Sequence, residues 1–215
     1  MLDQVVPEEP VVLVGHSMGG MAVMALAEQQ PSLFGDRVAG VPLLSTSAGE
    51  LDRVTLGLPG LPGRVLHRLA PALLAALARV PRLAESGRRA GSDLGYLLTR
   101  RYAFGGPVPG ELVEFTEEML AGTPIGVVAD FFPGFSTHDR YAALAALRGV
   151  PVLVVTGTAD LVTPARHSRR LADLLPSARL CELPGAGHMC MLERPDDVSR
   201  ALCELLDRVD ADAAP

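Results

Sequence analysis

The chain has no lysine, no asparagine and no tryptophan, and Ile125 is its only isoleucine. All 19 residues in its Lys/Arg count are therefore arginines. This skew is typical of a GC-rich coding genome, so the arginine excess carries no functional information. The formal net charge of −6 argues against a nucleic-acid partner, because nucleic-acid-binding surfaces are rich in cations that neutralise phosphates.

Cysteine is also scarce. The three cysteines, Cys181, Cys190 and Cys203, form an odd set without close pairs, which indicates reduced thiols and not a disulfide framework. Cys190 is interpreted as a small buried apolar residue. No C-x-x-C or H-E-x-x-H spacing occurs, so we expect neither a metal nor a cofactor.

No hydrophobic run is long enough to span a bilayer. The most apolar central segment, residues 70–78, is short and contains Pro71. The first residues carry acids and prolines where a signal peptide would carry a basic and then an apolar segment. We therefore expect no membrane span and a cytoplasmic location. With 215 residues, of which 48% are hydrophobic, the chain should form one globular domain with a sizeable core.

The most informative segment lies near the start of the chain. Residues 11–14 are four consecutive apolar residues, which predict a short strand buried on both faces. The pattern G-x-S-x-G follows, with Ser17 at its centre, and residues 21–30 are good helix formers. A serine on a strained turn between strand and helix is a nucleophile elbow, which needs small residues such as Gly15 and Gly19 around it. The start of the helix favours a developing anion beside the hydroxyl.

Three further apolar segments predict strands at residues 38–44, 152–155 and 178–183. Residues 2–6 are predicted to be the last turn of a helix. Further helices are predicted at residues 21–30, 141–147, 164–175 and 195–208, followed by a frayed tail at 210–215. Because strands alternate with helices, we predict an α/β fold with a parallel sheet covered on both sides.

Strand signals disappear between residues 47 and 138. Short helices are predicted at residues 64–79, 93–101, 111–120 and 125–132, separated by glycine and proline. We interpret this segment as a helical cap insertion that covers a site, within a single domain spanning residues 1–215; another helical layer is the alternative. Its phenylalanines, Phe131, Phe132 and Phe135, face either a pocket or the core.

Two more polar residues follow predicted strands. Asp160 lies in the loop after residues 152–155, and His188 lies in the glycine-rich loop after residues 178–183. Ligands bind parallel sheets at the carboxyl ends of their strands. Alone, each residue is compatible with a capping aspartate or an inert loop histidine. Together with Ser17 they give Ser, Asp and His in chain order, each directly after a strand.

These motifs resemble those of the α/β-hydrolase fold superfamily, in its esterase, lipase and peroxidase-like branch. The segments that carry the resemblance are GHSMGG at 15–20, GTAD at 157–160 with Pro164, and GH at 187–188 followed by LERP at 192–195. The resemblance implies that Ser17 is the nucleophile, His188 the general base and acid, and Asp160 the residue that orients the imidazole. It also implies that the backbone N–H of Met18 is one oxyanion-hole donor.

The resemblance implies an absence as well. Further strands normally precede the nucleophile strand in this family, and a loop among them supplies the second oxyanion-hole donor; here 16 residues precede Ser17. We therefore expect the amino-terminal strands to be missing. The strand at residues 11–14 would then have an open edge through which the chain self-associates. Loss of the second donor should lower the reaction rate about 10²–10³-fold.

Two functions follow from the sequence. The first is a serine hydrolase that cleaves a small carboxylic ester, or a related acyl substrate, through an acyl-enzyme. The second is a non-catalytic α/β-hydrolase-like module that binds a small molecule, or an inactive fragment. Serine at the nucleophile position departs from the haloalkane dehalogenases and epoxide hydrolases of this fold, which use a carboxylate there.

Overall fold

A parallel β-sheet lies at the centre of the computed structural model, which describes residues 6, 9–51, 54, 57 and 92–213. Its strands are β1 (Val11–Val12), β2 (Gly15–His16), β3 (Val38–Leu44), β4 (Val152–Gly157) and β5 (Arg179–Leu183). The order is β1-β3-β4-β5, and β2 also pairs with β3. All these pairings are parallel. The predicted α/β fold class with a parallel sheet is confirmed.

Helices follow the strands. They are α1 (Met18–Gln29), α2 (Ser92–Ala103), α3 (Gly110–Ala121), α4 (Ile125–Thr137), α5 (Ala165–Leu174), α6 (Cys190–Glu193) and α7 (Pro195–Ala213). Two 3-10 helices span Pro31–Leu33 and Ala142–Gly149. None of the helices in the described ranges combines the length and the hydropathy needed to cross a membrane.

The core has two sides because successive side chains of a strand point to opposite faces of the sheet. Val152 and Val154 of β4 contribute to one core, which also contains Met24 of α1 and Leu171 of α5. On the other face, the β4 side chain of Leu153 lies in a core built with α7. The residues that α7 contributes are Val198, Ala201 and Leu205. Both faces of the sheet are therefore covered by helices.

The first strand differs from its prediction. Residues 11–14 do not form one regular strand buried on both faces, because the register shifts between Val11 and Val12 and the strand ends there. Leu13 still donates its N–H to Gly40 O at 3.0 Å, so the chain continues along β3. Val14 is 57% exposed. A run of apolar residues predicts a buried strand, but a side chain is buried only where another element covers it, and Val14 has little such cover among the described residues.

Several helix boundaries also differ. The helix after Ser17 begins at Met18 and not at residue 21, and the last helix extends to Ala213, so the predicted frayed tail is helical there. The predicted helix at residues 141–147 is a 3-10 helix, Ala142–Gly149. The helix predicted to end at residue 132 continues through Pro133, since proline removes one helical hydrogen bond without always ending a helix. The predicted helix at residues 64–79 lies outside the described residues.

Candidate active site

Ser17 lies on the turn between β2 and α1, in a strained backbone conformation. Its φ of 52° and ψ of −118° fall in a region that side-chain-bearing residues rarely adopt. Hydrogen bonds hold this turn from both sides: Ser17 N–H donates to Leu44 O at 3.0 Å, and Thr46 Oγ1 donates to Ser17 O at 2.7 Å. The segment after β3 therefore fixes the position of the Ser17 backbone.

Glycines allow the turn to pack closely, although not all at the expected positions. A Cβ on Gly15 would lie 2.5 Å from Gly20 Cα, and a Cβ on Gly20 would lie 2.6 Å from Thr46 Oγ1. A Cβ on Gly19 would meet no atom within 4 Å. The expectation that Gly19 must be small is therefore wrong for this chain as described, because the close approach to the neighbouring loop falls on the next residue.

His188 follows β5 and reaches the serine. Its Nε2 lies 3.0 Å from Ser17 Oγ, and its Nδ1 lies 2.9 Å from Asp160 Oδ2. His16, which precedes Ser17, donates its Nε2–H to the carbonyl oxygen of His188 at 3.0 Å. Burial, and then the neighbouring His188, lowers the pKa of His16 from 6.5, which favours the neutral imidazole that donates to the His188 backbone.

Asp160 is 3% exposed and lies in the loop after β4. Its Oδ1 accepts the N–H groups of Val162 and Thr163 at 2.8 and 2.9 Å. Its Oδ2 accepts the Thr163 hydroxyl at 2.8 Å in addition to His188 Nδ1. Sequence reasoning missed Thr163, although an Asp three residues before a Thr is a pattern for side-chain hydrogen bonds within a turn. The carboxylate is thus fixed in orientation toward the imidazole.

Met18 is the first residue of α1, so its backbone N–H has no acceptor within the helix. It directly follows Ser17, and the positive end of the helix dipole lies at the same place. An anion that forms on an atom bonded to Ser17 Oγ would lie close to this N–H group. Within the described ranges, no cluster of His, Cys, Asp and Glu side chains has the geometry to hold a metal ion.

Comparison with known proteins assigns the chain to a family. The family model described as the alpha/beta hydrolase family matches residues 1–201. The chain belongs to the α/β-hydrolase family. An uncharacterised protein from Mycobacterium tuberculosis is 29% identical over 197 residues, which cover 87% of this chain and 53% of that protein. The chain therefore spans about half the length of the curated relatives that it matches first.

Solved structures give the same fold. An esterase from Thermogutta terrifontis matches 97% of this α/β-hydrolase chain with a TM-score of 0.70 and 22% identity, over 68% of its own chain. An enol-lactonase from Burkholderia xenovorans LB400 matches 96% with a TM-score of 0.69 and 23% identity, over 69% of its own chain. At these identities the likeness establishes the fold. The resemblance that the sequence motifs predicted is thus confirmed at the level of the superfamily.

Proposed function

We propose that the protein is a serine hydrolase that cleaves a small carboxylic ester, or a related acyl substrate, through an acyl-enzyme. The observation that carries this proposal is the pair of contacts through His188, 3.0 Å from Nε2 to Ser17 Oγ and 2.9 Å from Nδ1 to Asp160 Oδ2. Nucleophile, base and orienting carboxylate are the three parts that acyl transfer to serine requires. The strained serine turn after a strand supports the same chemistry.

In the proposed reaction, Ser17 Oγ attacks the carbonyl carbon of the ester while His188 Nε2 takes the hydroxyl proton. The oxygen of the tetrahedral intermediate gains a negative charge, which the Met18 N–H stabilises. Collapse breaks the bond to the alcohol, which leaves with the proton from His188. Water then attacks the acyl-enzyme by the same route and releases the acid. Asp160 holds the imidazole and stabilises its charged form throughout.

The substrate class rests on the serine and on the relatives. A serine nucleophile forms acyl-enzymes with esters and lactones. Two proteins with the same fold are named as an esterase and an enol-lactonase, which supports an acyl–oxygen bond as the target. A mouse relative, 26% identical over 206 residues that cover 92% of this chain and 59% of the relative, is named as a diacylglycerol lipase.

Labelling with a fluorophosphonate probe tests the proposal directly. The wild-type protein should gain the phosphonyl mass on the peptide that contains Ser17, and Ser17→Ala should gain none. Ser168→Ala is the matched control: this buried hydroxyl has no hydrogen-bond partner among the described residues, so its loss should leave labelling unchanged. Labelling that persists in Ser17→Ala would place the nucleophile elsewhere. A folded wild-type protein that does not react would favour the non-catalytic binding module.

We further propose that residues 47–138 act as a cap over the substrate, within one α/β-hydrolase domain. In support, Met189 N–H donates to Ala103 O at 2.8 Å, so the end of α2 touches the loop that carries His188. The three helices α2, α3 and α4 also expose large apolar side chains: Leu94, Leu97, Leu98, Phe115, Met119, Leu120, Val127 and Phe131.

Phe131→Ala tests the cap. Phe131 is 59% exposed, so its loss should cost little stability. A cap role predicts a changed preference between p-nitrophenyl acetate and longer acyl esters. An unchanged preference would contradict a cap role for this side chain.

The outer edge of β1 and β2 is proposed as a site of self-association. In the part of the chain that the structure describes, these strands pair only with β3, and Val14 beside them is 57% exposed. Unpaired strand edges template further pairing, which a charged side chain suppresses. Val14→Lys should therefore elute later than the wild type from a sizing column. A wild-type protein that elutes as a monomer would contradict this interaction.

A further inference from the structure

Glu193, at the end of α6, lies outside the three residues of the proposed triad, yet its carboxylate has an unusual set of partners. It accepts hydrogen bonds from the backbone N–H groups of Gly105 at 3.1 and 3.2 Å and of Gly106 at 2.9 Å. It also accepts the N–H of Gly187. All three donors are glycines, and they come from two segments that are far apart in the sequence.

The two segments have defined positions. Gly105 and Gly106 follow the end of α2, whereas Gly187 directly precedes His188. On the other side of His188, the N–H of Met189 donates to Ala103 O at 2.8 Å. The imidazole is therefore flanked in sequence, before and after, by residues that are tied to the end of α2.

Close packing leaves no room for side chains between these segments. A Cβ on Gly105 would lie 2.4 Å from Gly185 O, and a Cβ on Gly187 would lie 2.4 Å from Gly105 N. Two backbones that approach so closely turn several N–H groups toward the same point. A carboxylate has two acceptor oxygens and no donor, so it can satisfy all three N–H groups at once.

We propose that Glu193 is a positioning residue for His188, which couples the end of α2 to the triad. The inference rests on the proposed function, because it concerns the base of that reaction. The Glu193 carboxylate fixes the residue before His188, and the Met189–Ala103 hydrogen bond fixes the residue after it.

The size of the effect follows from the geometry of proton transfer. His188 Nε2 and Ser17 Oγ are 3.0 Å apart, which is within reach for proton transfer. A displacement of about 1 Å in a reacting group costs about 10²-fold in rate. Glu193→Gln keeps the side-chain volume but turns an N–H₂ donor toward backbone donors, so it should loosen the His188 loop. We expect the maximal rate of Ser17 phosphonylation to fall about 10–100-fold, with the apparent binding constant of the probe nearly unchanged.

The controls separate positioning from general stability. Glu182→Gln also removes one carboxylate, but Glu182 pairs with Arg169 at the sheet surface, so labelling should stay normal. Glu193→Asp keeps the charge on a side chain that is shorter by one methylene. Its labelling rate should lie between those of Glu193→Gln and the wild type. If Glu193→Gln does not fold, Glu193→Asp provides the same comparison. Rates are expressed per labelled site at completion, which removes any unfolded fraction from the comparison.

Two readouts do not depend on reactivity. The low-field proton resonance of the Asp160–His188 hydrogen bond should shift or broaden in Glu193→Gln. Amide exchange should accelerate at residues 105, 106 and 187 together. If the wild type fails to react with the probe, the proposed function fails, while these spectra still decide the role of Glu193. An unchanged labelling rate per site together with an unchanged low-field resonance would reduce Glu193 to a purely structural role and overturn the inference.

Discussion

The strained backbone at Ser17 leads to a prediction that glycine is more stabilising than alanine at this position, which reverses their usual order. Ser17→Gly and Ser17→Ala both remove the hydroxyl group and its contact with His188 Nε2. They differ in the backbone, because glycine adopts a φ of 52° and ψ of −118° freely and alanine does not. We therefore expect Ser17→Gly to be the more stable of the two variants.

The magnitude can be worked out from opposing terms. A side-chain-bearing residue in such a region costs about 1–3 kcal/mol in the folded state. Glycine in turn loses more conformational freedom on folding, which costs about 0.5–1 kcal/mol relative to alanine. The difference leaves glycine ahead by about 1 kcal/mol, which corresponds to about 2–4 °C in melting temperature for a chain of this size.

The assay is thermal and urea denaturation of both variants in parallel. Ala172→Gly is the control, because Ala172 lies within helix α5, where glycine should lower the stability by about 1 kcal/mol. The protein should thus be more stable with glycine than with alanine at position 17, and less stable with glycine than with alanine at position 172. A Ser17→Ala variant as stable as Ser17→Gly would refute the claim that the fold stores backbone strain at Ser17.

Three other predictions follow from individual contacts. Gly20→Ala should destabilise the protein by about 1–3 kcal/mol and slow Ser17 labelling, because its Cβ would lie 2.6 Å from Thr46 Oγ1. Gly19→Ala, whose Cβ meets no atom within 4 Å, should be neutral or slightly stabilising in the same denaturation experiments. Burial raises the pKa of Cys190 to about 11, so its thiolate form should be scarce at a pH of about 8. Iodoacetamide at that pH should therefore modify the exposed Cys203 long before the buried Cys190, which peptide mass spectrometry would measure. Burial lowers the pKa of His167 from 6.5, so the unfolded chain binds a proton at this site more readily than the folded chain. The contribution of neutral His167 to stability is therefore fully present above pH 6.5 and is lost as the pH falls through the lowered pKa of the folded state, so urea denaturation below pH 6.5 should show a shallower loss of stability in His167→Gln.

Local signals predicted much of the sheet. The strand expected at residues 38–44 is β3, Val38–Leu44, and β4 begins at the expected Val152. These strands lie in the interior of the sheet, where both faces of a strand are covered, so a continuous apolar run predicts them well. The loop after β4 follows from the same signal, which is why Asp160 could be assigned to a strand end from the sequence. His188 could be assigned in the same way, because β5 begins at Arg179, one residue after the predicted start of that strand.

Features that depend on partners distant in the sequence were not predictable. The exposure of Val14 depends on what lies beside β1 and β2, and its apolar side chain gives no sign of this. The motif that resembles the family contained Glu193, but its contacts with Gly105 and Gly106 join positions 87 or more residues apart. Hydrogen bonds of this kind leave no periodicity in the sequence.

The turn that carries Ser17 depends both on its local motif and on a contact with a residue distant in the sequence. The motif at residues 15–19 describes the serine turn as symmetric, with a glycine two residues before and two residues after it. The structure places the steric requirement on Gly15 and Gly20, because the space of a Gly20 Cβ is taken by Thr46. That threonine uses the space to donate its hydroxyl to Ser17 O at 2.7 Å. Ser17 is therefore positioned jointly by its own strand–helix turn and by the segment that follows β3. Substitutions at Thr46 should for this reason alter the position of Ser17 although Thr46 lies outside the motif.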